Sequence, residues 1–419
     1  MTSSRRFESD LPAALDELAT GPYPAYIEDF LTITHRTPRR PAWQFPSRWL
    51  PFQIGPRLRP VVIVAVVLLV VLALLIALVG SRQHRLPSPF GPAANGVVAY
   101  AEKGQGYVAS LDGPPRLLVE GPGDELGLTF SNDGTKLAFI RLMGTKETFW
   151  IADSDGSRQI QLLVDPIDEP SNWFWSPDGT EIALSYPIDG VSRIVIVKVD
   201  GTGSRRLDLP FPAADPTWRP PDGRELLVRR IDRGTADLYV VAADGSSVRS
   251  LGVIGRGLFG GNWDAGSANW SPDGSLVVYH NVDGRPGNER FQVHVVRADG
   301  TDDRVLTTST SAYQEAWPLW SPDGRSIAIQ RWSFSGDNRV AVLPLAGGAT
   351  PPSIGPRHKF EVDAGWATIW SPDGKHLLVR WDDAADKVRD AYLVDPVTGD
   401  YQLVDWSITD HPTWQRVAP

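Results

Sequence analysis

The chain has 419 residues, with 39 Gly, 36 Pro, 16 Trp and no Cys, and a formal net charge of −9 at pH 7. Without a thiol there can be no disulfide, no Cys-ligated metal, no cysteine nucleophile and no lipid anchor on cysteine. The acidic balance argues against nucleic acid as a partner, since phosphate binding needs a basic field.

Residues 1–60 form a separate, mostly helical segment in this reading. Asp10 caps a short helix that places Leu11, Leu15 and Leu18 on one face. After the Gly21-Pro22 break, Tyr23, Tyr26, Ile27, Phe30 and Leu31 follow helical spacing. Helices this short cannot hold a core alone, so their apolar faces are expected to dock on each other, on a membrane surface or on a partner. Trp43, Phe45, Trp49 and Phe52 follow in a proline-broken stretch whose rings suit the lipid headgroup zone.

Val61 to Val79 is an unbroken run of Val, Ile, Leu and Ala. As a helix it spans roughly 28 Å, matching a hydrocarbon core of about 30 Å. A cleaved signal peptide would need a short basic leader, yet sixty residues precede this run, and Val79 is a poor residue before a cut. The expectation is a transmembrane helix over 61–79. Six Arg in residues 31–60 face three basic residues in 80–110, which places the N-terminus in the cytoplasm and the rest outside. The charge split agrees. Residues 1–60 hold eight Arg against six acids, and from residue 96 on 31 basic residues face 44 acids. Residues 80–95 make a short Pro-rich linker.

From residue 96 the chain repeats. Trp-Ser-Pro-Asp-Gly stands at Trp175, Trp270, Trp320 and Trp370, with worn copies at Phe130 and Trp218 and a half copy ending at Trp414. The steps between these aromatics are 45, 43, 52, 50, 50 and 44 residues, a period that marks a repeat architecture. Each unit carries four strand signals: the aromatic strand, a turn, a second strand such as Glu181–Tyr186, a third such as Arg193–Val199, an Asp-Gly turn, and a fourth near Arg206–Leu209. Seven second-strand signatures give seven units. The fold class expected is all-β, a seven-bladed β-propeller of four-stranded blades over residues 96–419, after one transmembrane helix and a helical N-terminal segment. The first unit lacks its aromatic strand and the last offers only that strand, so the two halves should share a blade and close the ring.

The repeat, with its Leu-Ala-Phe-like second strand and Asp-Gly turn, resembles the TolB-type β-propeller repeat over residues 96–416. The resemblance implies the fold; such propellers serve periplasmic complexes, peptidases, lyases and sensors, so it does not carry activity. The N-terminal part resembles the cytoplasmic leader of bacterial single-pass proteins that sit beside sigma factors. It departs from zinc-bound anti-sigma domains in having no His-Cys-Cys cluster.

No catalytic residue, metal site or cofactor is assigned. A Gly-x-Ser-x-Gly elbow is missing, and the seven His do not gather: His280 and His294 share a unit but sit on different strands. Asp in the Asp-Gly turns is read as capping its own turn rather than binding calcium. Both turn sets of a blade lie on one face, which leaves the loops of the later units on the other. These loops are long: 253–269, 281–290, 307–318, 331–339, 354–365 and 381–389. In them stand Arg256, Phe259, Trp263, Tyr313, Trp317, Trp332, Phe334, Phe360 and Trp381, the candidate binding face. The same rings would serve equally to pack the loops down. The function expected is a membrane-anchored extracytoplasmic binding, sensor or scaffold module. It would meet a ligand or envelope protein at the propeller and a cytoplasmic partner, such as a sigma factor, at residues 1–60. The alternative is a propeller hydrolase or lyase acting on carbohydrate.

Overall fold

The structure is a computed structural model, and it describes residues 90–162, 172–232, 235–255, 268–283, 290–307, 313–333, 338–347, 351–358, 366–383 and 388–418. The expected helices of residues 1–60, the span 61–79 and most of the linker lie outside these residues. Among the described residues no helix is long and apolar enough to cross a membrane.

The described strands form seven antiparallel four-stranded sheets. Six blades take their strands in chain order: blade 2 (124–161), blade 3 (172–206), blade 4 (213–255), blade 5 (268–305), blade 6 (314–358) and blade 7 (366–404). Blade 1 is composite. Its inner strand is Thr413–Val417, from the C-terminal end, paired with Ala94–Glu102; Gln105–Ala109 and Arg116–Val119 follow outward. The closure expected from the two half units is therefore present, with Val98 opposite Trp414. Strand boundaries differ from the sequence reading by two or three residues: the fourth strand of blade 3 is Ser204–Arg206, followed by one more bond from Leu207 N to Ile194 O (3.0 Å), and Leu207 and Leu209 fill the core against blade 4.

The alternation of each second strand explains the core. Leu137 and Phe139 pack toward blade 1, while Ala138 and Ile140 pack toward blade 3. Each blade is thus buried on both faces, which is why its second strand reads as a continuous apolar run rather than as alternating polar and apolar.

The repeated Trp is the staple between blades. The indole N–H of Trp175 donates to Thr129 O (3.3 Å), Trp218 to Phe174 O (2.9 Å), Trp270 to Thr217 O (3.2 Å), Trp320 to Asn269 O (3.2 Å) and Trp370 to Leu319 O (3.2 Å). Each acceptor is the carbonyl just before the aromatic of the preceding blade. Trp414 instead bonds Gly96 O within the closing blade, and Phe130 has no donor to offer.

The Ser-Pro-Asp-Gly turn completes itself. In blade 6, Ser321 Oγ donates to Asp323 Oδ1 (2.6 Å), the Arg325 amide donates to the same oxygen (3.0 Å), and the Ser326 amide donates to Ser321 Oγ (3.0 Å). Gly324 takes φ of 69°, which only glycine adopts without strain. The same bonds recur in blades 2, 3, 5 and 7, so Asp caps its turn as the sequence reading has it. Blade 4 is the variant. Arg219 replaces Ser, pairs with Glu225 and donates to Gly274 O of the next turn (2.9 Å).

Candidate functional site

The two mouths of the ring differ. On the turn face, Phe90 and Gly91 lie across the axis. Arg416 of the closing strand donates to Gly91 O (2.7 Å) and to Asn132 O of blade 2 (3.1 Å), and Ala93 N donates to Pro372 O of blade 7 (2.9 Å). On the far side Phe90 and Gly91 line a cavity of about 220 Å³ with Trp270 and Pro272 of blade 5 and Leu319, Trp320 and Pro322 of blade 6. Blade 5 stands across the seven-membered ring from blade 1, so residues 90–92, tied to Arg416 at one end of this reach and lining the cavity at the other, form a strap over this mouth. That part of the expected linker is bound to the ring, and the first strand starts at Ala94.

On the loop face, the inner strands of blades 2, 4 and 6 carry a shared irregularity three residues before the repeated aromatic. Gly127, Asp215 and Trp317 there have φ of 62°, 54° and 50°, and the ladder to the second strand slips at each of these points. The slipped backbone turns its N–H toward the preceding blade. Gly127 N donates to Asp410 Oδ2, Asp215 N to Ser185 Oγ (3.4 Å) and Trp317 N to His280 Nδ1 (3.4 Å). A Gly tolerates this conformation and an Asp visits it. For a tryptophan it is strained.

Around Trp317 the structure brings aromatic rings together. Its ring centroid is 5.1 Å from that of Trp332 and 5.9 Å from that of His280; Phe291 lies 5.1 Å from Trp332. Trp332 is buried, Trp317 is half-buried and Tyr313 is exposed. Arg331 lies over the Tyr313 ring at 5.7 Å. The Arg331 guanidinium is held from below by Glu315 (2.8 Å from Nε), Pro351 O (2.8 Å) and Ser353 Oγ (3.2 Å), and both ionic side chains are about 5% exposed. This pair repeats one in blade 2, where Arg141 bonds Glu125 at 2.9 Å in the same cross-strand register. Burial raises the Glu125 carboxyl above its ordinary value although Arg141 pulls it down. In blade 4, Arg229 bonds Asp215 at 2.7 Å. Burial first, and then the Arg229 charge, push His280 down to about 4, so at neutral pH its Nδ1 is an acceptor for the Trp317 amide.

Of the nine sequence candidates, Tyr313, Trp317 and Trp332 are thus gathered at the loop end of blade 6. The register places Trp381 opposite Trp366 and Asp390 in blade 7. Arg256, Phe259, Trp263, Phe334 and Phe360 lie outside the described residues. Sequence reasoning weighed His280 only as a metal ligand and Arg331 only as a loop charge, and it missed Phe291 and the pairing of Arg331 with Glu315. The pair was legible in principle: Glu125 and Glu315 both stand five residues before the repeated aromatic, and Arg141 and Arg331 both stand eleven after it. Among the described residues no group of three His, Cys, Asp or Glu is placed to hold a metal.

A profile of the TolB beta propeller domain matches residues 105–331, more than half of the chain. The chain belongs to the TolB beta propeller domain family. An uncharacterized protein of Agrobacterium fabrum is 27% identical to this TolB-type propeller over 211 residues, 48% of this chain and 65% of the relative. The chain therefore spans less than two thirds of that relative's length. Among solved structures, an oligogalacturonate lyase of Vibrio parahaemolyticus matches with a TM-score of 0.51 at 13% identity, over 76% of this chain and 90% of that one. A puromycin-hydrolyzing peptidase of Mycobacterium tuberculosis matches with a TM-score of 0.51 at 18% identity, over 77% and 53%. At these identities the likeness is one of fold.

Proposed function

We propose that this TolB-type propeller is a membrane-anchored binding module. Its ring sits outside the membrane and takes a ligand or envelope protein at the loop end of blade 6. The span 61–79 is the anchor, residues 1–60 are cytoplasmic, and that leader meets a cytoplasmic protein such as a sigma factor, so that the whole acts as a sensor or scaffold. The observation that carries the binding reading is Trp317, held in a strained backbone conformation with its ring half-buried beside the exposed Tyr313. Strain of this kind is retained where the position of a side chain matters. The strap over the opposite mouth supports the same direction of approach.

The test is crosslinking in intact cells from a photoreactive residue at Tyr313, with a second probe at Tyr26. The expected result is an extracytoplasmic species from the first, lost in Trp317→Ala, and a cytoplasmic protein from the second. No capture at Tyr313, or capture indifferent to Trp317→Ala, removes the binding reading. No capture at Tyr26 removes signalling and leaves a scaffold. A propeller that stays protected from external protease after the envelope is permeabilised removes the topology.

A further inference from the structure

Among the described residues seven outer strands form the rim of the ring, and each leaves one backbone edge unpaired. Proteins protect such edges with charge, proline or brevity. Five of the seven carry Arg: Arg116, Arg205, Arg249, Arg304 and Arg357 each stand within their outer strand. A sixth, Ile160–Gln161, is two residues long. The outer strand of blade 7, Tyr401-Gln-Leu-Val404, has no charge, no proline and four residues.

Its surface is also the most apolar of the rim. Tyr401 is 53% exposed and Leu403 61%, and both point to one side of the sheet because side chains alternate. The backbone faces outward at the same two residues. Asp395 N donates to Asp400 O (2.8 Å), and the ladder continues in register with Val394 opposite Tyr401 and Tyr392 opposite Leu403. Bonded pairs alternate in an antiparallel ladder, so the N–H and C=O of Tyr401 and Leu403 turn away from the third strand and toward solvent. The strand is bracketed by Asp400 and Asp405, both exposed.

We propose that Tyr401–Val404 is a docking edge that takes an extended segment of another polypeptide as a fifth strand of blade 7. That segment has apolar residues at alternate positions and Lys or Arg at its ends. The free backbone groups supply the ladder, Tyr401 and Leu403 supply the contact for alternate side chains, and the two carboxylates select the basic ends. A second copy of this chain is disfavoured: antiparallel self-pairing through the outward groups sets Tyr401 opposite Leu403, which brings Asp400 of one copy diagonally beside Asp405 of the other at both ends. This surface is separate from the loop end of blade 6 and does not depend on the function proposed for it.

The test uses the full chain in detergent and the labelled, end-blocked peptide Lys-Thr-Val-Thr-Val-Lys as probe. The expected result is saturable binding with slowed hydrogen exchange at the Tyr401 and Leu403 amides. The version of the probe with Asp at both ends should bind about tenfold more weakly or worse, a loss of about 1.4 kcal/mol. N-methylation of alternate peptide nitrogens should abolish binding. Leu403→Lys should remove binding without moving the thermal midpoint, since that side chain is exposed, and Tyr401→Glu, whose ring also meets Tyr392 edge-on at 5.8 Å, should remove binding with at most a small fall in the midpoint. Absence of saturable binding, equal binding of the two probes, or binding that survives both substitutions overturns the proposal. A dimer of the chain that dissociates in Leu403→Lys also overturns it, by making the second copy the occupant.

Discussion

The backbone N–H of Trp317 donates to Nδ1 of His280, 3.4 Å away across the boundary between blades 5 and 6. The bond needs a neutral imidazole, and burial together with the Arg229 charge keeps it neutral by lowering the folded value to about 4 from 6.5. A histidine whose value is depressed on folding contributes stability that is fully present above 6.5 and is lost as pH falls toward 4. Unfolding midpoints in urea should therefore drop between pH 6.5 and 4, at less than about 1.4 kcal/mol per pH unit from this one proton. His280→Asn keeps an acceptor for the amide and has no proton to gain, so its stability should be flatter over that window. A variant with the same slope as the natural protein would show that other groups set the acid limb.

The indole bond of Trp320 to Asn269 O tests the stapling of one blade to the next. Trp320→Phe keeps most of the packing and leaves the carbonyl without its donor, which should destabilise by about 1 kcal/mol. Trp320→Ala empties a core position and should cost about 3–5 kcal/mol. Denaturant unfolding measures both. No loss in Trp320→Phe beside a large one in Trp320→Ala would mean that the hydrogen bond is irrelevant and that ring volume alone holds the boundary.

Much of the fold is legible in the sequence because one short motif carries both the turn and the staple. Trp-Ser-Pro-Asp-Gly fixes where each inner strand ends, and its spacing counts the blades. The half units at Val97 and Trp414 disclose the closing pair through the repeat pattern alone. The site is less legible for a physical reason. The slip at Gly127, Asp215 and Trp317 has no common residue type, since its hydrogen-bond acceptor comes from the neighbouring blade and changes from Asp410 to Ser185 to His280. Tyr313, Trp317 and Trp332 stand out as loop aromatics, but that two of them pack at 5.1 Å, with Trp332 buried, follows from strand register rather than from composition. The strap reads as free linker in the sequence because its partners, Arg416 and Pro372, lie at the other end of the chain.

The turn aspartates should not respond to calcium. Burial works upward on Asp323, but the bonds from Ser321 Oγ and the Arg325 amide, with the Arg325 charge, hold its carboxyl below its ordinary value, and they occupy Oδ1. Millimolar calcium should leave the thermal midpoint of the full chain unchanged. Asp323→Ala should lower stability by about 1–2 kcal/mol through loss of the turn cap. A rise of several degrees on adding calcium, abolished in Asp323→Ala, would make these residues metal ligands after all.

Removal of residues 410–419 should unfold the ring as a whole. The lost strand pairs with Ala94–Glu102, buries Trp414 against Val98, Leu378 and Ile408, and places Arg416 on the strap and on blade 2. Two blades would then each expose a core face, and the open ends of blade 1 would present an unpaired strand edge. Arg416→Gln separates the contributions: it leaves the strand paired while weakening the tie to Gly91 and Asn132, so it should loosen the strap with a small loss of global stability. Hydrogen exchange reads both effects. The truncation should release amides in all seven blades, and Arg416→Gln should release chiefly the Ala93 amide that bonds Pro372 O. If the truncated chain kept native protection in blades 3 to 5, the ring would not be one cooperative unit and the C-terminal strand would be a local seal.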